Sequence, residues 1–342
     1  MSKQTKIPVA IIGKNFGYKV LSKALTKSKK FDLKAISFKS KKFEKVTDRR
    51  IFFSSNWKAV IKTNKVKAVI IATPPDTHEE IINYAIKYGK HIFCEKPCSL
   101  SFEKVKKILR KIENKKKFIS HMVNFELIEI DAFKYFRNHI KKNKTKIHSI
   151  NVEWNIFDRS QLTSWKNFHS KGGGLIFNYL CHSLYYLEKI FGKITYINCL
   201  TEFKLNKKNK SIEVLLRIKK NIFCTISINS NKNLGKKQLF HKLFIATNEG
   251  NFQLKSKTIN ISDRFNLEKF FLIKGKLIKK KIFYEKRNSQ DFRISPSCYN
   301  FKKFAASIER KKIANPSFID AKNIHLLIKK IVQSSKKNKK FY

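Results

Sequence analysis

Three groups of residues in this chain have types and spacing suited to chemistry. The first is the turn Gly13-Lys14-Asn15-Phe16-Gly17, between an apolar run at 7–12 and a helical pattern through Val20, Leu21, Ala24 and Leu25. Amides at a helix start lack intrahelical acceptors and attract anions, so a strand, a tight turn and a helix suit the pyrophosphate of a dinucleotide. The G-x-G-x-x-G fingerprint is incomplete, with Asn15 in the middle position and the last glycine displaced to Gly17. Asn tolerates left-handed backbone angles and can keep such a turn intact. Taken alone, the motif is equally that of an ordinary strand-to-helix turn.

The second group follows two further strands: Ala72-Thr73-Pro74-Pro75-Asp76-Thr77-His78 after 68–72, and Glu95-Lys96-Pro97 after 91–94. Open α/β sheets bind ligands beyond the carboxyl ends of their strands, where Gly13, Thr73 and Glu95 would all lie. A lysine there can exchange a proton with a substrate hydroxyl. The plain alternative is a solvated surface lysine. The third group is Gly172-Gly173-Gly174, ending eight residues before His182 on an expected helix at 175–191. A spacing of four puts Asn178 and His182 on one face. Imidazole titrates near neutrality, so His182 can take a hydroxyl proton while hydride leaves the same carbon; otherwise it is a satisfied core histidine. Asn178 can orient a hydroxyl but cannot carry a proton.

The elements that must position these groups change character along the chain. Strands expected at 7–12, 33–38, 68–72 and 91–94 alternate with helices at 57–63, 78–88 and 102–113, which argues a parallel sheet covered on both faces. Beyond about residue 121, helices at 129–139 and 175–191 frame a strand at 148–155. Strands at 194–202, 211–218, 223–229, 242–247 and 251–255 are then joined by turn sequences such as Asn248-Glu249-Gly250, the pattern of antiparallel hairpins. Helices at 299–310 and 319–334 end the chain. The expectation is an α/β Rossmann domain over 1–120 and an α+β domain with a mostly antiparallel open sheet and C-terminal helices over 121–342.

The ordered set A-T-P-P-x-x-H, E-K-P, Trp165-Lys166, the triple glycine before His182, Pro316-Ser317 and Gln333-Ser334-Ser335 resembles the glucose-fructose oxidoreductase, inositol dehydrogenase and rhizopine catabolism family over nearly the full length. The resemblance implies an NAD- or NADP-dependent oxidoreductase acting on a hydroxyl or keto carbon of a sugar, cyclitol or sugar derivative. It implies Lys96 and His182 as catalytic residues meeting at one substrate carbon, with Asn178 in the place of the family's Asp in Asp-x-x-x-His. Substrate contacts would be Lys96, Asn178, His182 and Tyr185, the last standing where the family often has the Asp of H-x-x-Asp. Cofactor contacts would be Gly13, Asn15, Phe16, Gly17, Thr73, Pro74, His78, Glu95, Lys96 and the pair Trp165-Lys166. A homo-oligomer through the open sheet is also implied. The residues after the second strand, Ser37-Phe38-Lys39-Ser40-Lys41-Lys42, include no carboxylate to bond ribose hydroxyls; Lys39 and Ser40 suit a 2′-phosphate, which favours NADP over NAD. Asn178 and Tyr185 depart from the family pattern, so a catalytically weakened cofactor- or sugar-binding member is the alternative.

Composition bounds the rest. Among 342 residues, 76 Lys+Arg against 24 Asp+Glu leave a formal charge of +52. Only ten of the cations are Arg; with Lys, Ile, Asn and Phe all abundant, A/T-rich coding accounts for the charge. The second alternative is a nucleic-acid binder, but the lysines lie on nearly every segment and no reader motif is present, so no specific nucleic acid is expected. The six cysteines form no C-x-x-C pair and the nine histidines no H-E-x-x-H, so reduced thiols and no metal site are expected. No run of about 18 apolar residues occurs, and the N-terminus has no signal-peptide pattern; a cytoplasmic protein without membrane contact is the expectation.

Overall fold

The computed structural model describes residues 5–39, 50–157, 164–202, 209–231, 238–256, 265–284 and 291–337. Its strands are β1 (Ile7–Ile12), β2 (Phe31–Ser37), β3 (Phe52–Phe53), β4 (Ala68–Ile71), β5 (His91–Cys94), β6 (His121–Val123), β7 (Ile147–Phe157), β8 (Ile194–Cys199), β9 (Ser211–Ile218), β10 (Ile222–Asn231), β11 (Phe240–Thr247), β12 (Gly250–Ser256), β13 (Phe265–Ile273) and β14 (Lys276–Tyr284). The helices are α1 (Ser22–Ser28), α2 (Trp57–Lys62), α3 (His78–Lys87), α4 (Phe102–Glu113), α5 (Asp131–Lys142), α6 (Cys181–Phe191), α7 (Ile294–Arg310) and α8 (Phe318–Lys337). The chain divides into two compact units, Met1–Glu126 with Arg293–His325, and Leu127–Phe292 with Leu326–Tyr342.

The first unit holds a parallel six-stranded sheet ordered β3-β2-β1-β4-β5-β6. Strands run outward both ways from β1, the Rossmann arrangement, with its switch point between β1 and β4. β4 is buried along its length and β1 along nearly all of it, as strands covered on both faces must be. The helices follow local rules. Before α4, Ser101 Oγ accepts the Lys104 N–H at 3.3 Å, and Val105, Ile108, Leu109 and Ile112 recur at helical spacing and are buried.

A single boundary at 120/121 does not describe this division. His121–Val123 is the sixth strand, with Ile92 opposite His121, and α7 returns to the first unit. Its Ile294, Cys298, Phe301, Phe304 and Ala305 join the core of Val9, Ile11 and Phe93, with the Phe93 and Phe301 rings 4.5 Å apart. The apolar stripe of α7 is plain in the sequence, but a stripe does not say which sheet it covers.

The second unit holds an eight-stranded sheet ordered β14-β13-β12-β11-β7-β10-β9-β8. β7 and β10 are parallel, and the other neighbours are antiparallel. Alternation leaves one face buried, through Ile212, Val214, Leu216 and Ile218 of β9 and Ile222, Cys224, Ile226 and Ile228 of β10. The other face exposes Tyr196 (53 %) and Phe223 (63 %). The strands β13 and β14 were not expected from the sequence, because three consecutive lysines, Lys279 to Lys281, make β14 read as polar. They belong to an edge strand, where lysine discourages pairing with another chain. Among the described residues no helix is long and apolar enough to cross a membrane, and no group of three His, Cys, Asp or Glu could hold a metal ion. None of the six cysteines is in a disulfide, and all are buried.

Candidate active site

Gly13 ends β1 with φ at 127°, and a Cβ there would stand 2.3 Å from the Ala72 carbonyl oxygen. Its N–H donates to Ser37 O at 2.9 Å, so three strand ends meet at this glycine. Lys14–Leu21 then winds as a π-helix before α1. The Tyr18 N–H donates to Gly13 O at 3.0 Å, which leaves the Asn15, Phe16 and Gly17 amides with no acceptor inside the helix. Gly17 does the packing work of the fingerprint's last glycine: a Cβ there would meet Ala72 Cβ and Ile11 Cγ2 at 3.2 Å. Asn15 corrects one expectation. It is an exposed residue of the helical turn without positive φ, so it does not replace a glycine in a left-handed turn. A backbone with no room for Cβ at Gly13 and a set of amide donors beside it fit a dinucleotide pyrophosphate.

Past β2, Phe38 packs on Tyr18 and Phe53, with ring centroids 5.8 and 5.0 Å away. Lys39 follows and is exposed, while Ser40 lies outside the described residues. After β4, Thr73 Oγ1 and Thr77 Oγ1 are 2.6 Å apart, and Thr77 Oγ1 donates to Pro74 O at 2.7 Å. His78 is fully buried, with Nε2 2.9 Å from Thr73 O and Nδ1 2.8 Å from Pro97 O. Burial lowers its pKa, against the opposing pull of the two carbonyls. His78 therefore stands between the Thr73-Pro74 loop and the Glu95-Lys96-Pro97 loop; neutral, it donates to one of the two carbonyls, and only the protonated ring donates to both.

Lys96 is half-buried on the loop after β5. Beside it, Asn124 Nδ2 donates to Glu95 Oε1 at 2.6 Å. Burial first and Glu126 second push the Glu95 carboxyl up to about 8, while Asn124, Lys96 and Arg293 pull the other way. Burial raises the nearby Cys98 thiol to about 12 and the Cys94 thiol well above its ordinary value, so both stay protonated. Arg293, just before α7, places its guanidinium 4.6 Å from the Phe16 ring. Sequence reasoning missed Asn124, Glu126 and Arg293. The scarcity of Arg, one of ten in the chain, was the one signal that could have drawn attention to the last.

In the second unit, Trp165–Asn167 and His169–Lys171 form two short 3-10 turns. They lead into Gly172 and Gly174, with φ at 77° and 65°. A Cβ on Gly173 would lie 2.3 Å from Trp165 O and 2.7 Å from Lys166 C. Gly173 N–H donates to Phe168 O at 2.9 Å, and Asn178 Nδ2 donates to Lys166 O at 2.8 Å. The Trp-Lys pair, the glycine run and Asn178 are thus one folded piece. Asn178 sits on a π-helical turn, Ile176–Leu180, that leads into α6. One donor of its amide goes to a main-chain carbonyl that the 3-10 turn leaves without a helical donor. His182 and Tyr185 follow on α6 at 5 % and 3 % exposure.

Gly13, Phe16, Gly17, Thr73, Pro74, Glu95 and Lys96 thus belong to the carboxyl ends of one parallel sheet and their following turns. Trp165, Lys166, Asn178, His182 and Tyr185 belong to the second unit. A cavity of about 410 Å³ in the second unit, lined by Tyr135, His139, Glu249 and Lys269 among others, contains none of these residues.

The fold and the phosphate-type turn define a two-unit oxidoreductase architecture built on a dinucleotide-binding sheet. Family models agree: "Oxidoreductase family, NAD-binding Rossmann fold" matches residues 7–124 and "Oxidoreductase family, C-terminal alpha/beta domain" matches 142–341. The chain belongs to the glucose-fructose oxidoreductase, inositol dehydrogenase and rhizopine catabolism family. It is 27 % identical over 199 residues to an uncharacterised oxidoreductase of Synechocystis, covering 56 % of this chain and 53 % of that one. To levoglucosan dehydrogenase of Pseudarthrobacter phenanthrenivorans it is 28 % identical over 153 residues, covering 43 % and 38 %. These matches span about half or less of the relatives' length. A solved levoglucosan dehydrogenase complex with NADH and levoglucosan superposes with a TM-score of 0.82 at 18 % identity, covering 98 % of each chain; this likeness shows the fold.

Proposed function

We propose that the protein is an NAD(P)-dependent oxidoreductase acting at a hydroxyl or keto carbon of a sugar, cyclitol or sugar derivative. The observation that carries this reading is the join between the two loops: His78 ties the loop after β4 to the loop bearing Lys96, next to a turn at Gly13 that admits no side chain. That arrangement presents amide donors for a pyrophosphate and a half-buried ammonium at the end of the same sheet. Membership of the oxidoreductase family and the likeness to a sugar dehydrogenase support it.

A nicotinamide dinucleotide would supply the hydride acceptor or donor. The backbone at Asn15, Phe16 and Gly17 binds its phosphates, and Thr73 and Pro74 bound the site from the loop after β4. Lys96 Nζ holds the substrate oxygen and exchanges a proton with it, and a His182 ring nitrogen takes the hydroxyl proton during oxidation and returns it during reduction. The family resemblance supports Tyr185 as a substrate contact and Trp165-Lys166 as a cofactor contact. NADP is favoured over NAD, since Lys39 and Ser40 follow β2 with no carboxylate between residues 37 and 42. Exposed Tyr196 and Phe223, with the Arg217 guanidinium 5.9 and 5.1 Å from their rings, support self-association through the open sheet.

The test is titration of the purified chain with NADPH and NADH, read by nicotinamide fluorescence, followed by turnover on a panel of sugars and cyclitols. Tighter binding of NADPH and oxidation of at least one polyol are expected. No binding of either cofactor at millimolar concentration overturns the reading, and binding without turnover on any substrate reduces it to a cofactor-binding protein.

A further inference from the structure

We propose that Asn124, held in place by Asn300, is a positioning residue that fixes the Glu95 carboxyl at the root of the Lys96 loop. This deepens the reading of Lys96 as the proton-transferring lysine and rests on it.

Asn124, Ser297 and Asn300 are all fully buried. Asn124 is bonded through its N–H and both ends of its side-chain amide. Its backbone N–H donates to Cys94 O at 2.9 Å. Its Nδ2 donates to Glu95 Oε1 at 2.6 Å and, more weakly, to Ser297 Oγ at 3.4 Å, and its Oδ1 accepts from Asn300 Nδ2 at 2.9 Å. With Glu95 ionised, the NH₂ of Asn124 faces the carboxylate and its carbonyl faces Asn300. The result is a line of donors, Asn300 to Asn124 to Glu95, running from α7 to the loop after β5.

Donors in series that end on a carboxylate strengthen one another and favour its ionised form. The other groups around Glu95 divide. Lys96 and Arg293 favour the charge, whereas Glu126 and burial oppose it. The Cys94 thiol, which donates to the Glu95 carbonyl at 3.2 Å, stays neutral. Burial and Glu126 win, which leaves the carboxyl at about 8, and the bond from Asn124 is the largest of the influences that favour its charge. That charge lies one residue from Lys96, whose ammonium interacts with it. A helix from the far end of the sequence thereby acts on the chemistry of a loop near residue 96.

The experiment follows the Glu95 carboxyl by NMR in full-length protein carrying ¹³C-labelled glutamate, with Glu95→Gln assigning the signal. It needs neither cofactor nor turnover. In the native chain the signal titrates near 8, as burial and Glu126 dictate. Asn124→Ala moves it up by about one pH unit, the loss of one charge-assisted bond, and Asn300→Ala moves it the same way by less. Asn300→Ser, which keeps a polar group in the pocket, serves if Asn124→Ala fails to fold. In turnover assays the acid limb of the kcat profile moves with the carboxyl while the sugar KM changes less than about twofold. An unchanged Glu95 titration in the Asn124 and Asn300 variants overturns the proposal, as does a shifted titration with an unmoved kcat profile. A native chain that binds no nicotinamide cofactor defeats the functional reading instead, and leaves the NMR result standing.

Discussion

Gly173 and Trp165 share one crowded point: a Cβ on Gly173 would stand 2.3 Å from the Trp165 carbonyl oxygen. The obstacle is main chain, so no side-chain rotation relieves it. Gly173→Ala is therefore expected to push the Trp165–Asn167 turn away from the helix that follows, breaking the bond from Asn178 to Lys166 O. The loss of stability should be about 1–3 kcal/mol, typical of an overpacked site. Chemical denaturation measures it, and a variant as stable as the parent refutes the close approach.

Gly13 and Gly17 should differ in their tolerance of a methyl group. At Gly13 the φ of 127° and the Ala72 carbonyl at 2.3 Å both forbid it, whereas at Gly17 the nearest atoms are side-chain carbons at 3.2 Å. Gly13→Ala is expected to weaken NADPH binding at least about tenfold, because the turn must open to admit the methyl group. Gly17→Ala should cost less, by a modest shift of α1. Fluorescence titration of both variants tests the order; equal affinities in the two would contradict it.

Acid should unfold this protein early. Burial is the leading cause that holds His78, His91, His121, His169 and His241 below the ordinary histidine range, His91, His121 and His169 at about 4. Two of these rings accept main-chain N–H groups at Nδ1: His91 from Ser120 at 3.0 Å and His121 from Phe318 at 3.1 Å. A proton at Nδ1 would break either bond. A depressed folded pKa means that the unfolded chain takes up protons first, so stability is intact above pH ~6.5 and falls as pH drops toward about 4. For buried His121 alone the full effect is about 3 kcal/mol. Thermal melts between pH 8 and 4 should show a steep fall in Tm below about 6.5. A flat profile over that interval would show that these rings are not buried neutral.

What could be read from the sequence follows from how local each signal is. Strand β5 and helix α4 appear at their expected bounds, because an apolar run and a capped amphipathic pattern carry their own evidence. The role of Gly17 in packing was not legible, since it depends on Ala72, a residue 55 positions away. His78 reads as a cofactor contact only through the family resemblance of A-T-P-P-x-x-H; Pro97 O, within reach of its Nδ1, comes from a different strand's end. Asn178 read as an altered catalytic residue because helical spacing relates it to His182, but its amide bonds a carbonyl twelve residues upstream. In each case the partner was not legible, because partners set by tertiary packing leave no periodicity.

Lys96 and His182 remain the residues on which turnover should depend, and Asn178 separates catalysis from scaffolding. Replacing Lys96 or His182 by Ala should lower kcat by roughly 100-fold or more with cofactor affinity kept within a few-fold, as expected for groups that move protons rather than hold phosphates. If Asn178 completed a family-like acid–histidine pair through its side chain, Asn178→Asp would raise activity on a sugar substrate. The geometry predicts the opposite. An aspartate has no donor for Lys166 O, now bonded at 2.8 Å, and sets a charge against a main-chain oxygen. Asn178→Asp should therefore lose about 1–3 kcal/mol of stability and lower kcat, with Asn178→Ala less damaging because it introduces no charge. Paired measurements of Tm and kcat on the two variants decide the matter: a gain of activity in Asn178→Asp at unchanged Tm would restore the catalytic reading of this position and remove the scaffolding one.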